Sequence, residues 1–182
     1  MNNTPQKRQC KGGQTMSDEL DRSIADAIRR LAEALKERGW LLTTAESCTG
    51  GWIAKCCTDP PGSSNWFDRG YVAYSYPAKQ EELGVIREDL EAHGAVSEAI
   101  AAQMALGARR RSGADLTLAA TGIAGPTGGL PNKPVGMVCF AWSMRGAILR
   151  SECVTFEGDR ESIRKQTVLH AVEGALLTLE QE

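Results

Sequence analysis

Strands alternating with helices over most of the chain, then a hairpin-like pair of strands around Arg145-Gly146, predict an α/β protein: a three-layer α/β/α sandwich on a mixed, mostly parallel sheet. A second observation agrees with it. Ser47, the segment from Tyr74 to Lys79 and the glycine-rich loop 121 to 129 all fall just beyond predicted strands, and open α/β sheets present ligand sites beyond the carboxyl ends of their strands. A length of 182 residues suits one domain with a real core.

The elements follow in order. Residues 1 to 16 are polar, basic and aperiodic with a second Met at the end, so they are expected to be a loose extension ahead of a single domain at 17 to 182. From Ser17, a capping residue type, apolar side chains recur at Leu20, Ile24, Ile28, Leu31 and Leu35, and Lys36 and Arg38 precede Gly39, which gives an amphipathic helix with cations at its negative end. Trp40 to Thr44 reads as a buried strand, and Thr49 to Cys57 as a helix ending before the turn sequence Asp59-Pro60-Pro61-Gly62. Gly70 to Ser75 has the β-branched and aromatic content of a strand, and Pro77 fits the first turn of a short helix carrying Lys79 and Leu83. His93 falls in a loop-like stretch. Ser97 caps a helix reaching about Arg111, and Asp115 to Ala120 is an apolar strand that stops in T-G-I-A-G-P-T-G-G. Strands at Val135 to Trp142 and Ile148 to Phe156 precede a closing helix from about Asp159, which contains His170.

Composition excludes several function classes. The net charge is -2 and the basic residues are scattered apart from Arg109-Arg110-Arg111, so there is no footprint of duplex nucleic-acid binding. Six cysteines without a C-x-x-C and two histidines support neither a disulfide scaffold nor a structural zinc site. No apolar run is long enough to span a membrane and the amino terminus lacks a secretory apolar core, so a cytoplasmic protein is expected.

The stretch T-T-A-E-S-C-T-G-G-W, residues 43 to 52, sets a hydroxyl and a thiol side by side at a predicted strand-to-helix turn. Ser47 or Cys48 could be a nucleophile, the turn could grip an anion, or it could only cap a helix. A Ser-His-Asp triad finds no histidine with a neighbouring motif, and the G-x-S-x-G elbow is missing because Ala45 and Thr49 flank Glu46-Ser47-Cys48. A nucleophilic Ser47 would therefore need a lysine whose pKa is lowered by burial, and Lys79, near Tyr74, is the best placed. Four residues separate Tyr74 from Lys79, which excludes the Y-x-x-x-K of short-chain dehydrogenases. Cys48, with no histidine partner, reads as a small packing residue. The 121 to 129 loop serves either as a set of tight turns or as a cradle of backbone N–H groups for a phosphate or carboxylate; it does not match an ATPase P-loop.

Together, A-E-S-C-T-G-G, P-G-S-S-x-W-F-x-R-G-Y-V-x-Y-S-x-x-A-K, G-A-V-S-E, T-G-I-A-G-P-T-G-G and K-P-V-G-M-V resemble the CinA C-terminal domain family from about residue 20 to the end. The resemblance implies amide hydrolysis on nicotinamide mononucleotide, with a Ser-Lys-Tyr catalytic group falling on Ser47, Lys79 and Tyr74. It implies no metal or organic cofactor, a small-molecule nucleotide as the substrate, and a homo-oligomer, with a dimer favoured. Substrate binding is expected from Glu46 toward the cationic ring, from the backbone N–H groups of Cys48, Thr49 and Gly50 as donors to an oxyanion, and from Gly122, Ile123, Ala124, Gly125, Gly128 and Gly129, or a nearby arginine, toward the phosphate, with Gly51 and Thr121 also lining the substrate site. Tyr76-Pro77 departs from the family's usual Asn-Glu and bears on the approach of Lys79. The larger amino-terminal domain of the longer relatives is missing, which suits a stand-alone form. The rival expectation is a nucleotide-sensing module of the same family without turnover.

Overall fold

A computed structural model describes residues 16–181. In chain order the elements are α1 (Met16–Arg38), β1 (Leu42–Glu46), α2 (Trp52–Thr58), a 3-10 turn (Ser63–Asn65), β2 (Phe67–Val72), α3 (Tyr76–Leu83), α4 (Arg87–His93), α5 (Glu98–Ser112), β3 (Leu116–Gly122), β4 (Met137–Met144), β5 (Ala147–Thr155) and α6 (Arg160–Leu179). The five strands form one sheet in the order β2-β1-β3-β4-β5. β2, β1 and β3 run parallel, and β4 and β5 continue the sheet antiparallel, so the mixed sheet is realised as a parallel half joined to a hairpin.

Period-two alternation sorts the two cores. From β4, Val138, Phe140 and Trp142 point into the layer formed with α1, α2 and α6, while Cys139 and Ala141 face α5. β3 repeats the pattern, sending Leu116, Leu118 and Ala120 to the first layer and Ala119 to the second. The first layer is aromatic: Phe140 stacks on Trp142 with centroids 5.6 Å apart, and Trp142 Nε1 donates to Ala171 O at 2.8 Å. α6 lies close over this indole because Gly174 is bare; a Cβ there would stand 2.1 Å from the Trp142 ring. The second layer is built from small residues, Ala101, Ala105 and Ala108 with Met104, so α5 sits low on the sheet.

Several expectations are corrected at this level. Met16 already belongs to α1, which therefore starts before Ser17, and the rest of the expected extension lies outside the described residues. β1 begins at Leu42 and runs on to Glu46, because Trp40 and Leu41 are occupied in leaving α1: Trp40 N–H donates back to Leu35 O at 2.9 Å. α2 starts at Trp52 and not at Thr49, since Gly50 and Gly51 have φ of 62° and 93°, a left-handed conformation no right-handed helix admits. β2 is displaced to Phe67–Val72, leaving Tyr74 beyond its end. His93 closes a short helix, α4, and is not in a loop. Cys139 and Cys153, register partners across β4 and β5, are joined by a disulfide, where no such framework was expected. Among the described residues no helix is long and apolar enough to cross a membrane.

Candidate active site

Ser47 follows the last residue of β1, at the carboxyl end of the central parallel strands. Its N–H donates to Ala120 O on β3 at 3.0 Å, which anchors it to the neighbouring strand. The chain then turns through Cys48, Thr49, Gly50 and Gly51 before α2, and Gly50 N–H closes the turn on Ser47 O at 3.0 Å. The carboxylate of Glu46 sits beneath this turn. It accepts from Gly51 N–H (3.0 Å), Ile53 N–H (3.0 Å), Ala54 N–H (2.8 Å) and the hydroxyls of Thr49 (2.7 Å) and Thr44 (3.1 Å). Glu46 thus neutralises the amino-terminal donors of α2, a role a buried carboxylate fills well. It is fully buried, so the expected contact of Glu46 with a cationic ring is corrected: both oxygens are saturated inside the protein.

Lys79 reaches the same point from the other layer. Ser75 caps α3 by accepting from Ala78 N–H at 3.2 Å, and Pro77 occupies the first turn, so the departure at Tyr76-Pro77 leaves the lysine's path intact. Lys79 is fully buried, with Nζ 2.9 Å from Ser47 Oγ, 2.7 Å from Ala73 O and 3.3 Å from Tyr74 O. No carboxylate stands among these partners. Burial without a counter-charge lowers its pKa to about 8. Three partners fit both protonation states: an ammonium donates to all three, while a neutral amine donates to the two carbonyls and turns its lone pair to the Ser47 hydroxyl.

Tyr74 is placed differently from expectation. Its side chain is 59% exposed and its hydroxyl accepts from Arg160 Nη2 at 3.3 Å, so the phenol is directed away from the amine and only its carbonyl touches Lys79. The Tyr74 hydroxyl makes no hydrogen bond to Lys79 or Ser47, and the residue meets the amine through its main-chain carbonyl. The thiol of Cys48 is buried, and burial pushes its pKa up to about 12, which leaves it protonated and inert near neutrality.

The glycine loop divides in two. Thr121 Oγ1 donates to Ala95 O (2.9 Å), Ile123 N–H to Met137 O (2.9 Å), and Ala124 is buried, so the first half belongs to the scaffold. Gly122 packs against Val138, and Gly125 leads into a cis peptide with Pro126. Pro126 to Leu130, including Gly128 and Gly129, is exposed. Two arginines on α6 had no sequence signal. Arg160 donates to Gly125 O (2.8 Å) and to the Tyr74 hydroxyl, and Arg164 donates to Cys48 O (3.1 Å) and Thr49 O (2.6 Å) while stacking 5.0 Å from the Trp52 ring. Their spacing of four places both on one face of the helix, but their partners lie 35 to 116 residues away in sequence.

Comparison with known proteins agrees with this architecture. The CinA C-terminal domain family matches residues 24–179. The nicotinamide-nucleotide amidohydrolase PncC of Escherichia coli (strain K12) is 48% identical over 155 residues, covering 84% of this chain and 93% of that protein. The protein of the same name from Pseudomonas putida is 48% identical over 153 residues, covering 84% and 95%. Crystal structures of a CinA superfamily protein from Klebsiella pneumoniae (TM-score 0.84, 40% identity, 87% of this chain and 99% of that one) and of competence/damage inducible protein CihA from Agrobacterium tumefaciens (0.83, 44%, 87% and 96%) share the fold. With the family match running from residue 24 to residue 179 and a shared fold beneath it, this chain belongs to the CinA C-terminal domain family.

Proposed function

We propose that the protein is an amidohydrolase that converts nicotinamide mononucleotide to nicotinic acid mononucleotide and ammonia, with Ser47 as nucleophile and Lys79 as general base. The observation that carries this reading is the buried Lys79 amine 2.9 Å from Ser47 Oγ with no acidic neighbour. Relatives named nicotinamide-nucleotide amidohydrolase, 48% identical over 84% of this chain, support the substrate class.

The neutral amine takes the proton of Ser47 as Oγ bonds to the carboxamide carbon, and the carbonyl π electrons move onto oxygen. Collapse of this oxyanion expels the amide nitrogen, which leaves as ammonia after receiving the proton from the Lys79 ammonium. Water then gives a proton to Lys79 and attacks the Ser47 ester, releasing the acid and restoring the hydroxyl. Tyr74 contributes by fixing Nζ through its carbonyl. Of the expected oxyanion donors, Gly50 N–H is committed to Ser47 O and Gly51 N–H to Glu46, which leaves the N–H groups of Cys48 and Thr49. Arg160 and the exposed part of the 121 to 129 loop are assigned to the phosphate, since the guanidinium holds only neutral acceptors, Gly125 O and the Tyr74 hydroxyl. A cytoplasmic homodimer completes the proposal by similarity to the family.

Ammonia release by the purified chain from nicotinamide mononucleotide tests the reading. Turnover is expected; ligand binding without ammonia would favour a nucleotide-sensing module.

A further inference from the structure

Arg164 makes no hydrogen bond to Ser47 Oγ or Lys79 Nζ, yet its hydrogen bonds lead to the Cys48 amide, one of the two left to meet the oxyanion. Nη2 donates to Thr49 O at 2.6 Å. The same peptide unit carries the Gly50 N–H, which donates to Ser47 O at 3.0 Å. Ser47 O in turn belongs to the peptide unit that carries the Cys48 N–H, for which no hydrogen bond to another residue is found among the described residues. In a trans peptide the C=O and N–H point in opposite directions, so each unit passes polarisation from one side of the turn to the other. Nε meanwhile donates to Cys48 O at 3.1 Å and fixes the plane of the next unit.

We infer that Arg164 is a positioning residue that aims and polarises the Cys48 N–H through this two-peptide relay, so that the guanidinium charge acts on the oxyanion formed at Ser47; this rests on the Ser47 reading above. Hydrogen bonds in series strengthen one another, and a charged donor at the head of the series gives the largest effect. The guanidinium charge is available for it: no carboxylate lies within ion-pair distance of Arg164 among the described residues, and its face is covered by the Trp52 ring at 5.0 Å.

The experiment compares wild type, Arg164→Lys and Arg164→Gln by steady-state ammonia release and by the rate at which a fluorophosphonate labels Ser47, a step in which the O–P bond forms, fluoride leaves and the phosphoryl oxygen occupies the oxyanion position. Loss of a direct oxyanion donor lowers kcat by about 10²–10³-fold; loss of the relay's charged head is expected to lower it by roughly 10- to 100-fold, with KM within about threefold. Labelling should slow by the same factor, and Lys, which keeps the charge with one donor, should fall between Gln and wild type. A merely structural arginine would move KM and melting temperature and leave no Lys-over-Gln order in kcat. Should the Gln variant fail to fold, the Lys variant with both readouts decides. Unchanged kcat and labelling in folded variants overturn the relay alone. Wild type that deamidates but is never labelled at Ser47, with Ser47→Ala still active, removes the nucleophile and the relay with it.

Discussion

The turn after β1, residues 47 to 51, and the glycine loop after β3, residues 121 to 129, leave neighbouring parallel strands at the same end of the sheet, but their polar groups are arranged differently. Around the first turn, Glu46 takes five donors from below, Arg164 takes two carbonyls from the α6 side, and Gly50 N–H closes the turn on Ser47 O. Every residue from Ser47 to Thr49 is buried. The second loop is pinned only as far as Gly125, after which Pro126 to Leu130 lies in solvent. Covalent chemistry requires reacting groups held near their final geometry, whereas a phosphate can be gathered by an open set of donors. On the function proposed above, reaction falls to the first loop and recognition to the second, and substitutions in each should therefore separate kcat from KM.

The largest separation is expected at Ser47. Ser47→Ala should lower ammonia release by on the order of 10⁴-fold or more while nucleotide affinity, measured by calorimetry, stays within a few-fold. Near-normal turnover would break the comparison at its first term.

Lys79 comes next. Lys79→Arg should be as inactive as Lys79→Ala, about 10²–10⁴-fold down, because a guanidinium cannot give up its proton near neutral pH. In wild type, kcat/KM should rise with pH and level off above about 8, where the buried amine becomes neutral. Stability gives an independent reading of the same group. The folded pKa of about 8 lies below the unfolded 10.5, so the unfolded state binds more protons between these values and stability rises with pH across that window. Subtracting the Lys79→Met curve isolates this slope from the buried thiols, which titrate the other way. A difference curve flat from pH 8 to 10.5 would mean Lys79 is an ordinary ammonium.

The recognition loop should respond more weakly and in KM. Arg160→Ala is expected to lower kcat/KM for the mononucleotide by roughly 10- to 100-fold, the scale of one charge-assisted hydrogen bond. The riboside and free nicotinamide, already poorer substrates in wild type, should be unchanged within about threefold. Equal losses on all three would place Arg160 with the reaction, and the two loops would no longer differ in kind.

The layers were legible because their patterns are local. Phe140 and Trp142 alternate with Cys139 and Ala141, and Ser97, Ser75 and Asp159 each cap the helix that follows. The left-handed pair Gly50-Gly51 was visible as glycines, but the helix was still begun too early at Thr49, since composition does not state the sign of φ. Chain position made Lys79 the best-placed lysine for Ser47 and the resemblance paired the two, but a contact across 32 residues leaves no periodic trace, so their 2.9 Å approach was not legible. Glu46 was misassigned for a related reason: its donors are mostly main-chain amides of a helix start, which look alike in any sequence. Arg160 and Arg164 were missed because a surface-spaced pair on a helix reads as a solvated face until the opposing turn is in place.

The smallest effect is expected at Cys48, and it tests whether the rigid turn holds one nucleophile or two. Its thiol is buried, and at pH 8 a group with a pKa of about 12 is ionised only to about one part in 10⁴. The part of Cys48 proposed to act is its N–H, which serine also carries. Cys48→Ser should therefore keep kcat within about threefold, with a stability loss of about 1–2 kcal/mol for burying a hydroxyl where a thiol packed. Iodoacetamide at pH 8 should modify the native enzyme at Cys48 far more slowly than the urea-unfolded chain, read by mass spectrometry alongside activity. Fast, stoichiometric alkylation of native Cys48, together with a Cys48→Ser variant more than 100-fold slower, would transfer the nucleophile from the hydroxyl to the thiol. It would leave Lys79 as an amine that acts on Cys48, one residue further along the same turn.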